Sequence, residues 1–365
     1  MKIKILQKIE KEIQRIRNKF AIRSYRRMVL QRYKYVHVMT NGIHSLGIIK
    51  FINKYFDNNE HCFIFPILFP ETKEKIREIS NCYNYQLKDI PLKKVKKIIF
   101  QGLFTLEFIK FLYKHPKYLQ KSYWFIWGGD LYGASEDEKS VFVRKNMRGI
   151  LTSFDYPFYK EKYGENKCYD VTYPHAMTYG QVDFSNLPSH TGTNILINNS
   201  ADETTLEMLD ILEKFKDQDI NIYTILSYTS VHQKDPRLKI MKKGYEIYGN
   251  KFHPLIEFMP ENEYAQFLAS IDIYISNQNR AQGNGNATFI CGLGKKVFTK
   301  SDTAIYQKYN SLGITYFDTY TIKDLSFEEF LAYDDKTRER TVSLLRERMK
   351  DETKVKQWTE FFLDD

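Results

Sequence analysis

No apolar run in the sequence approaches the roughly 20 residues that a membrane-crossing helix needs, and none reads as the core of a signal peptide. Cysteine is scarce, with only Cys62, Cys82, Cys168 and Cys291 among 365 residues. They form no C-x-x-C pair, so the spacing excludes an ordinary zinc site, and their scatter builds no disulfide framework. They read as reduced thiols of a cytosolic protein. Neither a P-loop nor a G-x-G-x-x-G fingerprint occurs. The one Asp-x-Asp triplet, Asp217-Gln-Asp219, precedes a strand-forming run after a charged helix. It reads as a solvated loop, and no metal or other cofactor is expected. A short fixed repeat is also missing, which excludes a solenoid.

What is present is enough chain for roughly two domains, with 42% hydrophobic and 15% aromatic residues to fill their cores. The net charge of +10 is concentrated at one end. Residues 1–34 hold twelve lysines and arginines against Glu10 and Glu12, a net +10, so the remaining chain balances to zero. Within this segment Ile5, Ile9, Ile13, Ile16 and Phe20 recur every three or four residues, which predicts an amphipathic helix over 1–32. A basic helix with an apolar stripe suits an anionic membrane surface. Packing of the stripe on the protein's own body, or against a second copy, would use the same pattern. No nucleic-acid module or stacking platform accompanies the charge, so no nucleic acid is expected as partner.

From Tyr33 the pattern alternates between short apolar runs and helical periods. Strands are expected at Tyr35–Met39, Cys62–Leu68, Lys97–Gly102, around Trp124, at Gly149–Thr152 and at Tyr169–Tyr173. After a linker over 174–192 the alternation resumes, with strands at Thr193–Ser200, Ile220–Leu226, Lys251–Phe258, Asp272–Ser276 and Lys296–Thr299. Helices lie between them. This order predicts α/β architecture with parallel sheets and two Rossmann-like halves, over 33–180 and 193–340. Ligands of such sheets bind at the carboxyl ends of the strands.

Several polar groups stand at those ends. Ser122-Tyr-Trp-Phe-Ile-Trp-Gly-Gly-Asp-Leu-Tyr-Gly133 runs from a buried strand through Gly128 and Gly129, where the backbone can turn sharply, to Asp130. Asp130 is either a carboxylate presented past the strand end or a cap for the following helix. Asn199-Ser200-Ala201-Asp202 lies between a strand and a helix, where free amides attract anions, although Ser200 or Asp202 could simply cap that helix. Arg280-Ala-Gln-Gly-Asn-Gly-Asn-Ala-Thr288 follows another strand and opens a helix expected from Asn286. Gly283 and Gly285 would let a phosphate approach closely. An ordinary Gly/Asn turn, and a solvated Arg280, are the plainer alternatives. Tyr228 and Glu257 end two further strands; Tyr228 could equally be a core residue. His44 follows the first strand in a loop, whereas His37 lies inside that strand and reads as a core histidine. Gln101 and Gly102 end the third strand.

Trp127-Gly128-Gly129-Asp130-Leu131-Tyr132, Asn199-Ser200-Ala201-Asp202, Tyr228 and Gln282-Gly283-Asn284-Gly285 occur in this order over a span from about Val36 to the C-terminus. In these motifs the chain resembles the TDP-N-acetylfucosamine:lipid II N-acetylfucosaminyltransferases, glycosyltransferase family 56. The resemblance implies a GT-B fold, two Rossmann-like domains facing across a cleft, with a C-terminal helix over 341–365 returning to the first domain. It implies a metal-independent transfer of an amino or deoxy sugar from a nucleotide diphosphate to a polyprenyl-diphosphate-linked saccharide, at the inner face of the cell membrane. Asn199, Ser200, Tyr228, Arg280, Gln282, Gly283, Asn284 and Gly285 would then bind the donor. Gln101, Gly102, Trp127 and Gly129 would lie on the acceptor side. Asp130, or else His44, would take the proton from the acceptor hydroxyl. Gln101 stands where that family tends to carry histidine, and glutamine cannot act as a base. A GT-B nucleotide-sugar epimerase and a non-catalytic partner subunit are the competing expectations.

Overall fold

Runs such as Ile98-Ile99-Phe100 and Tyr123-Trp124-Phe125 are apolar at every position, where a strand with one wet face would alternate. Each therefore needs cover on both sides, and the fold supplies it with two parallel sheets. The structure is a computed structural model that describes residues 2–41, 43–174, 182–187, 189–198, 200–227, 236–280 and 282–364, except for the side chains of 2–10, 43 and 44. The chain divides into two compact units, residues 1–174 with 355–365, and residues 175–354.

The first unit opens with a long helix, Lys2–Leu30. Seven strands follow: β1 (Tyr35–Val38), β2 (His61–Ile64), β3 (Cys82–Tyr83), β4 (Lys97–Gln101), β5 (Ser122–Phe125), β6 (Gly149–Thr152) and β7 (Cys168–Asp170). Their order across the sheet is β3-β2-β1-β4-β5-β6-β7, with every pairing parallel. Alternate residues fill two layers. Val36, Val38, Ile98, Phe100, Trp124 and Ile150 face one core with Phe108 and Leu112. Tyr35, Ile99, Tyr123, Phe125 and Leu151 face the other, which is closed by Trp358, Phe361 and Phe362 of the last helix, Asp351–Leu363. Burying a large aromatic in this way is worth about 1.5–3 kcal/mol, so three on one helix explain why the chain returns to this unit. The return starts at 355 and not at the expected 341, because the preceding helix, Asp335–Met349, belongs to the second unit. There Arg346 Nε donates to the carbonyl of Gly292 at 2.8 Å.

The second unit holds β8 (Thr193–Ile197), β9 (Ile220–Ile225), β10 (Phe252–Leu255), β11 (Ile273–Ser276), β12 (Lys296–Thr299) and β13 (Phe317–Asp318), ordered β10-β9-β8-β11-β12-β13 and again all parallel. Ile195, Ile197, Ile222, Ile273, Ile275 and Phe298 share a core with Met208, Leu209 and Leu212 of the helix Glu203–Leu212. The strands at Gly149–Thr152 and Lys296–Thr299 match the expected runs, whereas β2 stops at Ile64, before Pro66, which has no N–H for the ladder, and β10 at Leu255. All four cysteines are free thiols.

Candidate functional site

In each sheet the order of strands reverses once. One connection leaves β8 toward β9, and a later one crosses back to set β11 on its other side. The loops after β8 and β11 therefore diverge, and the gap between them is a crevice at the carboxyl edge, the place where open α/β sheets bind ligands. The first sheet has the same reversal between β1 and β4.

In the second unit the crevice is lined by amides. Asn198 directly follows β8 with φ +53°, a left-handed conformation that asparagine tolerates better than most residues. Its buried side chain ties the crevice together: Oδ1 accepts the Asn277 backbone N–H at 2.7 Å, and Nδ2 donates to Thr204 Oγ1 at 3.0 Å and Thr205 Oγ1 at 2.9 Å. Ser200, also buried, accepts from two amides across the gap, Gln278 Nε2 at 2.9 Å and Gln282 Nε2 at 2.6 Å. Gln278 donates in addition to Asp202 Oδ2 at 2.6 Å. Asp202 is the cap of the helix Glu203–Leu212, accepting from the Thr204 N–H at 3.0 Å, so Ser200 is left for the crevice. Among the described residues, Gln278 Oε1 and Asn284 Oδ1 are buried and have no hydrogen-bond partner. Two orphaned acceptors this close to a strand end suit a ligand that brings hydroxyl or amide donors.

The Gln282-Gly283-Asn284-Gly285 loop opens the helix Asn284–Gly292, with Gly283 at φ +67° as its capping position. That left-handed turn lets the helix begin two residues earlier than the expected Asn286. Asn284 and Gly285 thus occupy its first turn, where the backbone N–H groups have no partner within the helix and favour negative charge. Arg280 is half-buried in the same loop. Lys300, just past β12, is buried; its Nζ donates to Asn279 Oδ1 at 2.8 Å and lies 3.8 Å from Glu207 Oε2. The edge therefore has an anion-favouring helix start, a buried ammonium and acceptors for hydroxyls.

In the first unit Asp130 is not presented past a strand end. Gly128, at φ +82°, and Gly129 curl the chain into a four-residue helix, Gly129–Tyr132, that turns the carboxylate inward. Oδ2 accepts from the Leu103 backbone N–H at 2.8 Å and from Trp124 Nε1 at 2.5 Å, and Oδ1 accepts from the Trp127 backbone N–H at 3.0 Å. Burial raises its pKa above the ordinary carboxylate value, and these three donors oppose the rise. A carboxylate so enclosed fastens β4 to β5. Gly102, at φ +85°, passes beside it, and a Cβ there would lie 2.6 Å from the Phe104 ring. Gln101 is buried, with Nε2 at 3.4 Å from His37 Nδ1, and its Oε1 has no partner among the described residues. His37 Nε2 in turn meets His61 Nδ1 at 3.2 Å, so three polar side chains cross β4, β1 and β2 in a row. Burial lowers both histidine pKa values, that of His61 to about 3, so both rings are neutral. Trp127 packs edge-on to Tyr173 and Phe104. His44 is the second residue of the helix Ile43–Tyr55, directly after the reversal point; its side chain lies outside the described residues.

No known protein family and no curated protein sequence matches the chain. Solved structures do. The Anabaena protein HepE, in complex with UDP and glucose, matches at TM-score 0.64 and 9% identity, over 90% of this chain and 99% of that one. A glycosyltransferase from Rickettsia africae matches at 0.62 and 12%, over 91% and 98%. A UDP-forming trehalose-phosphate synthase from Burkholderia vietnamiensis matches at 0.60 and 11%, over 90% and 98%. The fold is GT-B.

In this GT-B chain the structure brings Ser200 and the Gln282-Gly283-Asn284-Gly285 loop to one sheet edge. Asn199 and Tyr228 lie outside the described residues. Glu257 is exposed beyond β10, away from the reversal point. Asn198, Gln278 and Lys300 were missed. Their signal was available: Asn277-Gln278-Asn279 is a run of three amides after an apolar strand, and Lys300 is a lone charge after another.

Proposed function

We propose that the chain is a glycosyltransferase that takes a sugar from a nucleotide diphosphate. The observation that carries this is the crevice of the second unit, where Ser200, Gln278 and Gln282 stand beside a helix start at the strand reversal. A diphosphate would sit against the N–H groups of Asn284 and Gly285, with Arg280 and Lys300 offsetting its charge. Gln278 Oε1 and Asn284 Oδ1 would accept hydroxyls of the ribose or the donor sugar. The structural neighbour HepE was crystallised with UDP and glucose and with UDP-glucose, which supports a nucleotide sugar as donor.

In the reaction the acceptor oxygen forms a bond to the anomeric carbon, the bond from that carbon to the diphosphate breaks, and the electron pair leaves on the phosphate. The acceptor proton passes to a base in the first unit. Asp130 is too enclosed for that task, so His44 takes the role in this proposal. Gln101, Gly102, Trp127 and Gly129 belong to the acceptor side. The sequence resemblance supports an amino or deoxy sugar, N-acetylfucosamine first among them, and a polyprenyl-diphosphate-linked saccharide as acceptor in bacterial surface polysaccharide synthesis. No divalent metal is needed in this scheme.

The test is transfer of radiolabelled sugar from a panel of nucleotide sugars to lipid-linked saccharides, with and without chelator. Transfer that survives the chelator and falls at least 100-fold in His44→Ala supports the proposal. Conversion of the nucleotide sugar without any acceptor would replace it with an epimerase, an activity that a putative UDP-N-acetylglucosamine 2-epimerase from Listeria monocytogenes of the same fold is named for.

A further inference from the structure

The N-terminal helix has no place in the chemistry above, yet it is the most charged part of the protein. Its last turns are clamped to the first unit. Leu30 is buried in the core. Arg26 reaches the buried carboxylate of Asp89 at 3.3 Å and lies over the Tyr85 ring at 5.1 Å. Arg23 Nη2 donates to the Lys88 carbonyl at 3.1 Å. Asp89 is itself fixed, since the same Oδ2 accepts the Gln86 backbone N–H at 3.0 Å. Before Arg23 the helix leaves the body, and every residue from Lys11 to Ile22 is exposed.

On that free stretch most side chains are sorted, with Arg17 bordering the apolar stripe and Ile22 falling among the basic residues. At about 100° per residue, Ile13, Ile16 and Phe20 fall within about 60° of one another, and they are 45%, 45% and 65% exposed. Lys11, Arg15 and Lys19 cluster on a second face, about 130° away around the helix. Sequence periodicity carries the apolar stripe back through Ile9 and Ile5. Such a stripe, uncovered in water, is costly unless something apolar receives it.

We infer that this helix lies in the surface of an anionic membrane and, because its end is clamped, holds the first unit at that surface. The inference takes its purpose from the proposed lipid-linked acceptor, and rests on that reading to this extent; the helix supplies the observations. Charge selects the occupant. Residues 1–34 carry twelve positive groups against two. A second copy would set two such helices side by side, with like charges facing and almost no acid to pair them. An anionic leaflet offers apolar depth to the stripe and counter-charge to the lysines and arginines together. No described helix is long and apolar enough to cross the membrane, so the contact is peripheral.

The test uses the intact protein, vesicles of pure phosphatidylcholine, and vesicles containing about 30% phosphatidylglycerol. Flotation should show binding to the anionic vesicles alone, weakening at least tenfold as salt rises from about 50 to about 500 mM, where the Debye length shrinks severalfold. An Ile13→Glu/Ile16→Glu/Phe20→Glu variant and a Lys11→Glu/Arg15→Glu/Lys19→Glu variant change only exposed side chains and should each lose at least tenfold in vesicle affinity. Nucleotide binding, measured on the same samples, should not change. Three results would overturn the inference: equal binding to both vesicles, unaltered vesicle binding by the stripe variant together with loss of a dimer in light scattering, or binding of single-stranded RNA with none to vesicles. Failure here with nucleotide binding intact leaves the donor site standing. Loss of nucleotide binding with vesicle binding intact does the reverse.

Discussion

Asp130 shows how one residue can be read two ways and settled by its neighbours. Three N–H groups converge on its carboxylate, from Leu103, Trp124 and Trp127. An asparagine of the same shape would have to turn its NH2 toward at least one of them. Leaving a buried donor unpaired costs about 1–3 kcal/mol. Asp130→Asn should therefore lower the unfolding free energy by about 2 kcal/mol in urea titration, with nucleotide binding unchanged. Full stability with abolished transfer would return Asp130 to the chemistry. Spacing in the sequence located this carboxylate at the end of β5, but spacing carries no information on which way two glycines turn. The left-handed φ of Gly128 sends it inward, and that is a property of the folded backbone. On the donor side, Gln278→Leu removes one amide bridge to Ser200 and the orphaned acceptor together. We expect about tenfold weaker binding of the nucleotide diphosphate in calorimetry, the size of one net hydrogen bond; unchanged affinity would place the ligand elsewhere.

At the scale of elements, the row His61, His37 and Gln101 links β2, β1 and β4 through groups that stay neutral. Burial depresses the histidine pKa values, with His61 falling from 6.5 to about 3. In the unfolded chain both would take up a proton as pH falls through 6.5, while in the folded protein burial keeps His37 neutral well below that and His61 down to about 3. The contribution of His61 to stability is thus complete above pH 6.5 and is lost as pH falls toward 3, and that of His37 declines in the same direction. His61 can cost up to about 1.4 kcal/mol per pH unit in that window. Urea titrations at pH 7, 6 and 5 should show this decline, and a His37→Phe/His61→Phe variant should show a flatter one; parallel curves would mean that the rings are hydrated. His37 was legible as a core residue from its place inside an apolar strand. Its partner His61 was not, because register between strands far apart in the chain leaves no trace in either run. Helix starts shifted for a similar reason: the helix at Asn284 begins where Gly283 turns left-handed, and composition alone placed that start two residues later.

For the whole molecule, the alternation of strands and helices was sufficient to predict two parallel α/β halves, since each continuous apolar run demands two covered faces. The site was legible where polar residues interrupted such a run, as at Ser200 and Gln282. At Asn198 and Gln278 the amide runs marked the strand ends, but which amide of each run turns into the crevice depends on the opposing strand and is not written in either run. The clamp at Arg23, Arg26 and Asp89 was equally hidden, as it joins segments more than sixty residues apart. The central claim, that the second unit holds a nucleoside diphosphate, is tested most directly by thermal unfolding of the intact protein with UDP, TDP, GDP and ADP, and with CMP as control. A diphosphate at a hundred times its dissociation constant should stabilise the folded state by about 2.7 kcal/mol, and Gln278→Leu should shrink that shift. If no diphosphate raises the transition above the CMP control, the crevice between β8 and β11 does not bind a nucleotide sugar.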